Sequence, residues 1–169
     1  MKNNIYPKVH VIVLNWNNKE LTEQCLLSIQ RIDYPNYEIL IVDNNSSDGS
    51  VELFKNNFPD VKLLSLDKNL KYAGGNNAAI DSLSFNKDDF FLFLNNDTLV
   101  SRDFLHHLIN PFLKAPLSSL ISTFTKRPSC LKSVKNASIF SCNSFSVLKK
   151  EKLSLTSTLK TSSLPRSKI

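Results

Sequence analysis

The chain has 169 residues, of which 41% are hydrophobic, and a formal net charge of +6. This length suits one domain, and no apolar run approaches the roughly 20 residues of a membrane-spanning helix. The beginning of the chain lacks the apolar stretch of a secretory signal, and the three cysteines lack the spacing of a metal site or disulfide framework, so a cytoplasmic protein is expected.

Strand and helix signals alternate up to about residue 114. Runs rich in β-branched and aromatic residues predict four strands, at residues 8–14, 37–43, 61–66 and 89–94. A helix is predicted after each strand, with starts near Asn17, Asp48, Ala73 and Ser101. Asn17 and Glu20 have the spacing of a capping box, and Asp48 is a typical capping residue. This alternation predicts an α/β fold with a mostly parallel sheet and helices on both faces.

Polar clusters follow each predicted strand. In chain order they are Asn15 to Asn17, Asp43 to Gly49, Asn69 to Asn77, and Asn95 to Asp97. Each cluster alone is typical of an ordinary turn. Because parallel strands end at the same edge of a sheet, where ligands of α/β proteins bind, the four clusters together predict one binding crevice.

Four motifs in this order and spacing resemble the family 2 glycosyltransferases, in particular their rhamnosyltransferase-like branch. The motifs read VIVLNWN, EILIVDNNSSDGSVEL, NLKYAGGNNAAI and FLFLNNDTLV, and the resemblance extends from about Pro7 to Leu113. It implies the Rossmann-like glycosyltransferase-A fold, a UDP- or dTDP-type nucleotide diphosphate-sugar donor and a divalent cation, Mg2+ or Mn2+. It also implies inverting sugar transfer to a cell-surface glycan or lipid-linked acceptor, by a protein that contacts the inner membrane face peripherally.

Asp97 is the expected metal ligand. It matches the last position of the family's Asp-x-Asp motif, and a hard cation beside a diphosphate binds carboxylate and phosphate oxygens. The alternative is a strand-end carboxylate that caps the next turn. Asn95 matches the first Asp of the motif, and its uncharged amide is expected to contact the ribose or a metal-bound water.

The end of the first two strands is expected to hold the nucleoside. Asp43 and Asn44 match the pair that recognises a uracil or thymine base in the family, and the alternative is a local Asx turn. Trp16 matches an aromatic position near the nucleoside, where its indole stacks on the base or, alternatively, packs against the protein. Asn15 lies beside Trp16 and is included in the donor-binding set.

Gly74, Gly75 and Asn76 belong to a loop that lies against the nucleotide-sugar in the family. The glycines permit close backbone approach, and the N-terminus of the following helix favours an anionic donor. Lys71 occupies a position where the family usually has glycine. It therefore either alters the turn or adds a cation near the phosphates.

Residues 117–169 differ sharply from residues 1–116, the predicted donor-binding half-domain. Residues 126–169 contain ten of the 21 basic residues and one of the 15 acidic ones, which leaves 11 basic and 14 acidic residues before them. The tail lacks glycine, is rich in Ser and Lys, and is predicted to be largely disordered, with a weak strand or helix near residues 138–148. The abrupt change favours a truncated or frameshifted reading frame.

Three functions are compatible with these features. The first is a sugar transferase, and the second is a non-catalytic remnant that at most binds a nucleotide-sugar. The general base distinguishes them, and no catalytic residue is assigned, since Glu151 is the tail's one acidic residue. The third, a nucleic-acid-binding protein, is disfavoured because the basic tail has few aromatic residues for stacking, so no nucleic-acid partner is expected.

Overall fold

The structure, a computed structural model, describes residues 6–114, 131–134, 137–141 and 145–150. Strands and helices alternate through the first of these ranges: β1 (Val9–Asn15), α1 (Lys19–Ile29), β2 (Tyr37–Asp43), α2 (Ser50–Asn57), β3 (Lys62–Ser65), α3 (Lys71–Ser82), β4 (Phe90–Asn95) and α4 (Phe104–Lys114). Three further strands follow: β5 (Leu131–Val134), β6 (Ala137–Ser141) and β7 (Phe145–Lys150).

The described strands form one sheet in the order β3-β2-β1-β4-β7-β6-β5. The strands β3, β2, β1 and β4 are parallel, whereas β7, β6 and β5 continue the sheet beyond β4 by antiparallel pairing. The strand β1 therefore lies inside the parallel part, between β2 and β4. The four parallel strands confirm the predicted parallel α/β sheet, and the three antiparallel strands make the complete described sheet a mixed one.

Successive side chains of β1 point to opposite faces of the sheet, and both faces are covered. Val9, Val11 and Val13 are fully buried in an apolar layer that includes residues of α1, α2 and α4. Ile12 is buried on the other face, in a layer with Ala79 of α3. A strand covered on both sides reads as a continuous apolar run, which is why β1 could be recognised from sequence.

The capping box predicted at Asn17 is wrong. The helix α1 begins after Asn18, whose side chain makes no capping hydrogen bond. Instead, the amide of Lys19 donates to Asp48 Oδ2 at 3.2 Å, while the amide of Ser50, which opens α2, donates to Asp48 Oδ1 at 3.1 Å. Burial disfavours the charged form of Asp48, but hydrogen bonds from Ser50 and Lys19 outweigh it and lower its pKa. The N-cap of α2 is Gly49 rather than Asp48, and Asp48 supports α2 from the preceding position and also supports α1.

A charged cluster lies at the amino-terminal edge of the parallel strands. His10 is completely buried, with Nδ1 at 2.7 Å from Glu38 Oε1 and Nε2 at 3.1 Å from Asp89 Oδ2. Glu38 Oε2 also pairs with Lys8 at 2.9 Å and Lys62 at 3.1 Å. Partial burial opposes ionisation of Glu38, but the hydrogen bonds from Lys8, Lys62 and His10 prevail and lower its pKa to about 2. This cluster ties together the starts of the parallel strands.

The three strands of the tail correct the prediction of disorder for their own residues. The strand β7 pairs with β4 from Phe90↔Lys149 to Leu94↔Phe145, and β6 pairs with β7 and β5. The weak element expected near residues 138–148 coincides with β6 and β7. The other residues of 117–169 lie outside the described ones. In the part of the chain that the structure describes, no helix combines the length and apolarity needed to cross a membrane.

Candidate functional site

The carboxyl ends of β1, β2 and β4 lie side by side. Asn15 is level with Asp43 on β2, and the adjacent Leu14 is level with Asn95 on β4. The strand β3 ends with Ser65, which is level with Asp43. The polar clusters that follow these strands therefore share one edge of the sheet, as predicted.

Unusual backbone conformations concentrate at the same edge. Among the described residues, the non-glycine residues with positive φ are Asn17 (+48°), Asn45 (+64°) and Lys71 (+62°). The left-handed region costs a residue with a Cβ atom roughly 1–2 kcal/mol, and such conformations cluster at functional sites. Asn17 and Asn45 lie in the loops after β1 and β2, and Lys71 is the first residue of α3, the helix that follows β3, which supports this edge as the candidate site.

Asn15 is the centre of a buried hydrogen-bond network. Its Nδ2 donates to Asp43 Oδ1 at 2.8 Å and to Ser46 Oγ at 3.1 Å, and its Oδ1 accepts from Thr22 Oγ1 at 2.8 Å. Asn96 Nδ2 donates to Thr22 Oγ1 at 2.8 Å. The network joins the loops after β1, β2 and β4 through one helical side chain. Sequence reasoning missed Thr22, although a polar residue on the buried stripe of α1 was the available signal.

Asp43 and Asn44 both point into the protein. Asp43 is 1% exposed, and besides Asn15 it accepts from the Ser46 amide at 2.9 Å. Asn44 is 2% exposed; its Oδ1 accepts from the Leu70 amide at 2.8 Å and its Nδ2 donates to Asn69 Oδ1 at 2.9 Å. These contacts match the local-turn alternative for Asp43. Base recognition by the pair remains a prediction, and it requires a ligand to reach nearly buried side chains.

Trp16 presents its indole at the surface of the same edge. The side chain is 54% exposed, and the Nζ atom of Lys71 lies 5.8 Å from the centroid of its ring. Packing against the protein, the alternative to base stacking, accounts for only part of this side chain. An exposed aromatic face of this kind is available to a planar ligand.

Gly74 and Gly75 lie inside α3, which agrees with the predicted helix start near Ala73 but not with the expectation that they form a loop before the helix. A Cβ atom on Gly75 would lie 2.5 Å from Leu14 Cδ1, and one on Gly74 would lie 2.7 Å from Leu70 Cβ. The absence of a side chain at Gly75 therefore allows α3 to pack closely on β1, whereas its absence at Gly74 leaves room for Leu70 at the start of the helix. Asn76 is buried in the same helix. The N-terminus of α3 lies at Leu70, not after the glycine pair. Contact of these residues with a donor remains a prediction.

Asn95, at the end of β4, begins the turn that carries Asp97. The Asn95 carbonyl accepts from the Thr98 amide at 3.1 Å and from the Cys25 thiol at 3.7 Å. Burial raises the pKa of Cys25 to about 12; the hydrogen bond with Thr98 opposes this shift, and the negative charge of Asp97 adds to it. The Asp97 side chain itself is exposed. It thus presents a carboxylate to solvent at the edge where the strands end.

The residues at the carboxyl edge are compatible with a metal ion that is bound partly by the protein and partly by a bound diphosphate. Within the described ranges, no three His, Cys, Asp or Glu side chains are grouped as a metal cage would require. Asp97 offers one exposed carboxylate. Mg2+ commonly binds through one or two carboxylates together with water and phosphate oxygens. The site therefore suits a cation bound jointly by Asp97 and a diphosphate.

Comparison with known protein sequences identifies relatives of the chain. The family model described as "Glycosyl transferase family 2" matches residues 10–165, which include most of the tail. A poly-beta-1,6-N-acetyl-D-glucosamine synthase of Staphylococcus epidermidis is 31% identical over 104 residues, which cover 60% of this chain and 24% of that protein. A GalNAc(5)-diNAcBac-PP-undecaprenol beta-1,3-glucosyltransferase of Campylobacter jejuni is 34% identical over 95 residues, covering 54% of this chain and 30% of the relative.

Solved structures show the same fold. The mannosyltransferase PcManGT from Pyrobaculum calidifontis, in complex with GDP-Man and Mn2+, has a TM-score of 0.56 and 27% identity, covering 67% of this chain and 34% of its own. TarS 1-349 of S. aureus has a TM-score of 0.53 and 23% identity, covering 62% and 32%. The fold is therefore the predicted Rossmann-like glycosyltransferase-A fold.

The chain spans about a quarter to a third of the length of these relatives and structures. The family match nevertheless covers most of its residues and includes all four polar clusters at the carboxyl edge. The chain belongs to glycosyl transferase family 2.

Proposed function

We propose that the chain forms the donor-binding part of a sugar transferase and binds a nucleotide diphosphate-sugar together with a divalent cation. The observation that carries this proposal is the convergence, at one sheet edge, of an exposed carboxylate on Asp97 and an exposed indole on Trp16. A carboxylate that shares a cation with a diphosphate and an aromatic face that receives a base together match the diphosphate and the nucleobase of such a donor.

The relatives support this substrate class by what their names state. PcManGT was solved with GDP-Man and Mn2+, and the Campylobacter relative is named as acting on an undecaprenol-linked substrate. For this chain we propose a UDP- or dTDP-type donor, a glycan or lipid-linked acceptor and inversion at the anomeric carbon. We also propose a cytoplasmic protein that meets the membrane peripherally.

Asp97 would hold Mg2+ or Mn2+ in this proposal. When bound, the cation neutralises negative charge that develops on the leaving diphosphate. The chain's own contribution is to orient the donor, with Trp16 beside the base and Asn95 near the ribose. The hydrogen bonds of Asn15 with Asp43 and Thr22 keep the supporting loops in place.

A second candidate is binding of the donor without transfer. General acid–base catalysis typically contributes about 10²–10⁴-fold to a rate, and no residue of this chain is assigned as the base that activates the acceptor. The two candidates share the donor site and differ only in whether the 169-residue chain releases the nucleotide from a nucleotide-sugar in the presence of an acceptor.

Isothermal titration calorimetry tests the donor site. The full chain is titrated with UDP-glucose, dTDP-rhamnose and GDP-mannose, with and without Mn2+. Asp97→Asn is expected to abolish the Mn2+-dependent part of binding, because an amide is a weak ligand for a hard cation. Asp88→Asn, the same change at an exposed position before β4, is the control and should bind normally.

The outcomes separate the finer proposals. The proposed donor site would be rejected if the wild-type chain bound none of the three nucleotide-sugars. A preference for dTDP-rhamnose would support the rhamnosyltransferase-like branch, which rests on the sequence motifs, whereas a preference for GDP-mannose would reject both that branch and a pyrimidine donor.

A further inference from the structure

The side chain of Lys71 lies against Trp16, and the proposed donor site assigns no role to this contact. Its Nζ atom lies 5.8 Å from the ring centroid of Trp16, and both side chains are exposed. A cation at this distance from an indole face makes an attractive cation–π contact. Lys71 is the first residue of α3, whereas Trp16 follows β1, so the contact joins the start of a helix to a loop at the carboxyl edge.

The backbone at Lys71 is held in place from β2. The Lys71 amide donates to Asn69 Oδ1 at 2.8 Å, and Asn44 Nδ2 lies 3.4 Å from the Lys71 carbonyl as its donor. Asn44 Oδ1 also accepts from the Leu70 amide. These bonds keep Lys71 at φ +62°, a conformation that favours glycine. The turn therefore has the backbone that glycine would adopt, and the lysine adds a cation to it.

The ammonium of Lys71 forms no ion pair with another described residue. An unpaired ammonium is a good partner for phosphate oxygens, and here it lies against an aromatic face. A ligand with a planar ring joined to a diphosphate complements both groups at once.

We propose that Lys71 is a donor-positioning residue whose ammonium binds the diphosphate while the indole of Trp16 receives the nucleobase. This inference rests on the proposed function and adds a specific cation to it. Because the ammonium lies over the Trp16 ring, nucleotide binding moves Lys71 from the ring to the phosphates. The nucleotide thereby replaces one partner of each side chain.

The test compares a nucleoside diphosphate with its own nucleoside. Whichever of UDP, dTDP and GDP binds most tightly is titrated into the full chain with Mg2+, and the nucleoside with the same base is titrated separately. Lys71→Met removes the charge and keeps an unbranched side chain at the same backbone conformation. Lys68→Met is the matched control, because it removes another exposed lysine three residues earlier. Trp16 is the one tryptophan of the chain, so its fluorescence reports on this site alone.

Lys71→Met is expected to weaken diphosphate binding by about tenfold or more, as is typical of hydrogen bonds to charged groups, and to leave nucleoside binding unchanged. Lys71→Arg should retain binding, whereas Lys68→Met should match the wild type. Lys71→Gly suits φ +62°, so it should fold normally and still lose the same affinity. Trp16 emission should change in Lys71→Met before any ligand is added.

The results distinguish this inference from the proposed function. Three outcomes would overturn the role of Lys71 alone. The first is an equal loss of diphosphate affinity in Lys71→Met and Lys68→Met, and the second is an equal loss of affinity for the nucleoside and the diphosphate in Lys71→Met. The third is wild-type affinity in both Lys71→Met and Lys71→Gly. Failure of the wild-type chain to bind any of the three diphosphates would overturn the donor site and, with it, the role of Lys71.

Discussion

Replacing Asn15 by alanine tests whether the buried network, rather than the apolar layers alone, holds the carboxyl edge together. Asn15 is completely buried and links Asp43 at 2.8 Å, Ser46 at 3.1 Å and Thr22 at 2.8 Å. Alanine removes all three bonds at once. The carboxylate of Asp43, which is 1% exposed, then keeps the hydrogen bond from the Ser46 amide at 2.9 Å.

The magnitude follows from the groups that lose partners. A hydrogen bond to a charged group contributes about 1.5–3 kcal/mol net, and a neutral one about 0.5–1.5 kcal/mol. Loss of the bond to Asp43 together with the weaker ones is therefore expected to lower the free energy of unfolding by about 3 kcal/mol. In a chain of this size, that change lowers Tm by about 6–12 °C.

Thermal unfolding followed by circular dichroism measures this effect. Asn57→Ala is the matched control, because Asn57 Nδ2 also donates to a carboxylate, Glu23 Oε1, at 2.8 Å, but the pair is exposed. The control should change the free energy of unfolding by less than about 0.5 kcal/mol. The reasoning would be refuted if the two alanine variants had the same Tm, because burial would then not determine the cost.

The remaining predictions concern packing and pH. Gly75→Ala is expected to lower stability by about 1 kcal/mol, because the overlap of its Cβ atom with Leu14 Cδ1, at 2.5 Å, outweighs the higher helix propensity of alanine. Urea unfolding should show a smaller or no loss when Leu14 is already alanine, and an equal loss in both backgrounds would contradict the contact. For Glu38, the pKa in the folded chain is about 2, below the ordinary 4.5, so its stabilisation is present above about pH 4.5 and lost as the pH falls towards 2. The difference in Tm between the wild type and Glu38→Gln should therefore shrink as the pH is lowered from about 4.5 towards 2, and a constant difference over that range would exclude this linkage.

The parallel sheet could be predicted because its signals are local. The strand β2, Tyr37–Asp43, has its predicted bounds, because a short apolar run with β-branched residues is typical of a buried strand. The starts of the helices were harder to predict. The helix α1 receives its capping carboxylate from Asp48, 29 positions along the chain from Lys19, and no local pattern around Asn17 contains that contact.

The strands of the tail show the same limit. Leu131–Val134, Ala137–Ser141 and Phe145–Lys150 lack a sustained apolar pattern, so composition favoured disorder. Their strand assignment depends on backbone pairing with β4 and with each other, which is a non-local interaction. The periodicity of apolar residues does not reveal such pairing, because every residue has a backbone carbonyl and every residue except proline has a backbone N–H donor.

The sequence by itself determined which residues meet at the carboxyl edge, because strand ends and turn residues are encoded locally and parallel strands end together. Only the tertiary structure decided what those residues do there. In the folded chain, the side chains of Asp43 and Asn44 point inward, and Thr22 and Asn96 belong to the hydrogen-bond network. The ammonium of Lys71 lies over the ring of Trp16. Each of these outcomes depends on strand register and on the packing of a helix against the sheet, which set distances between residues that are far apart in the chain.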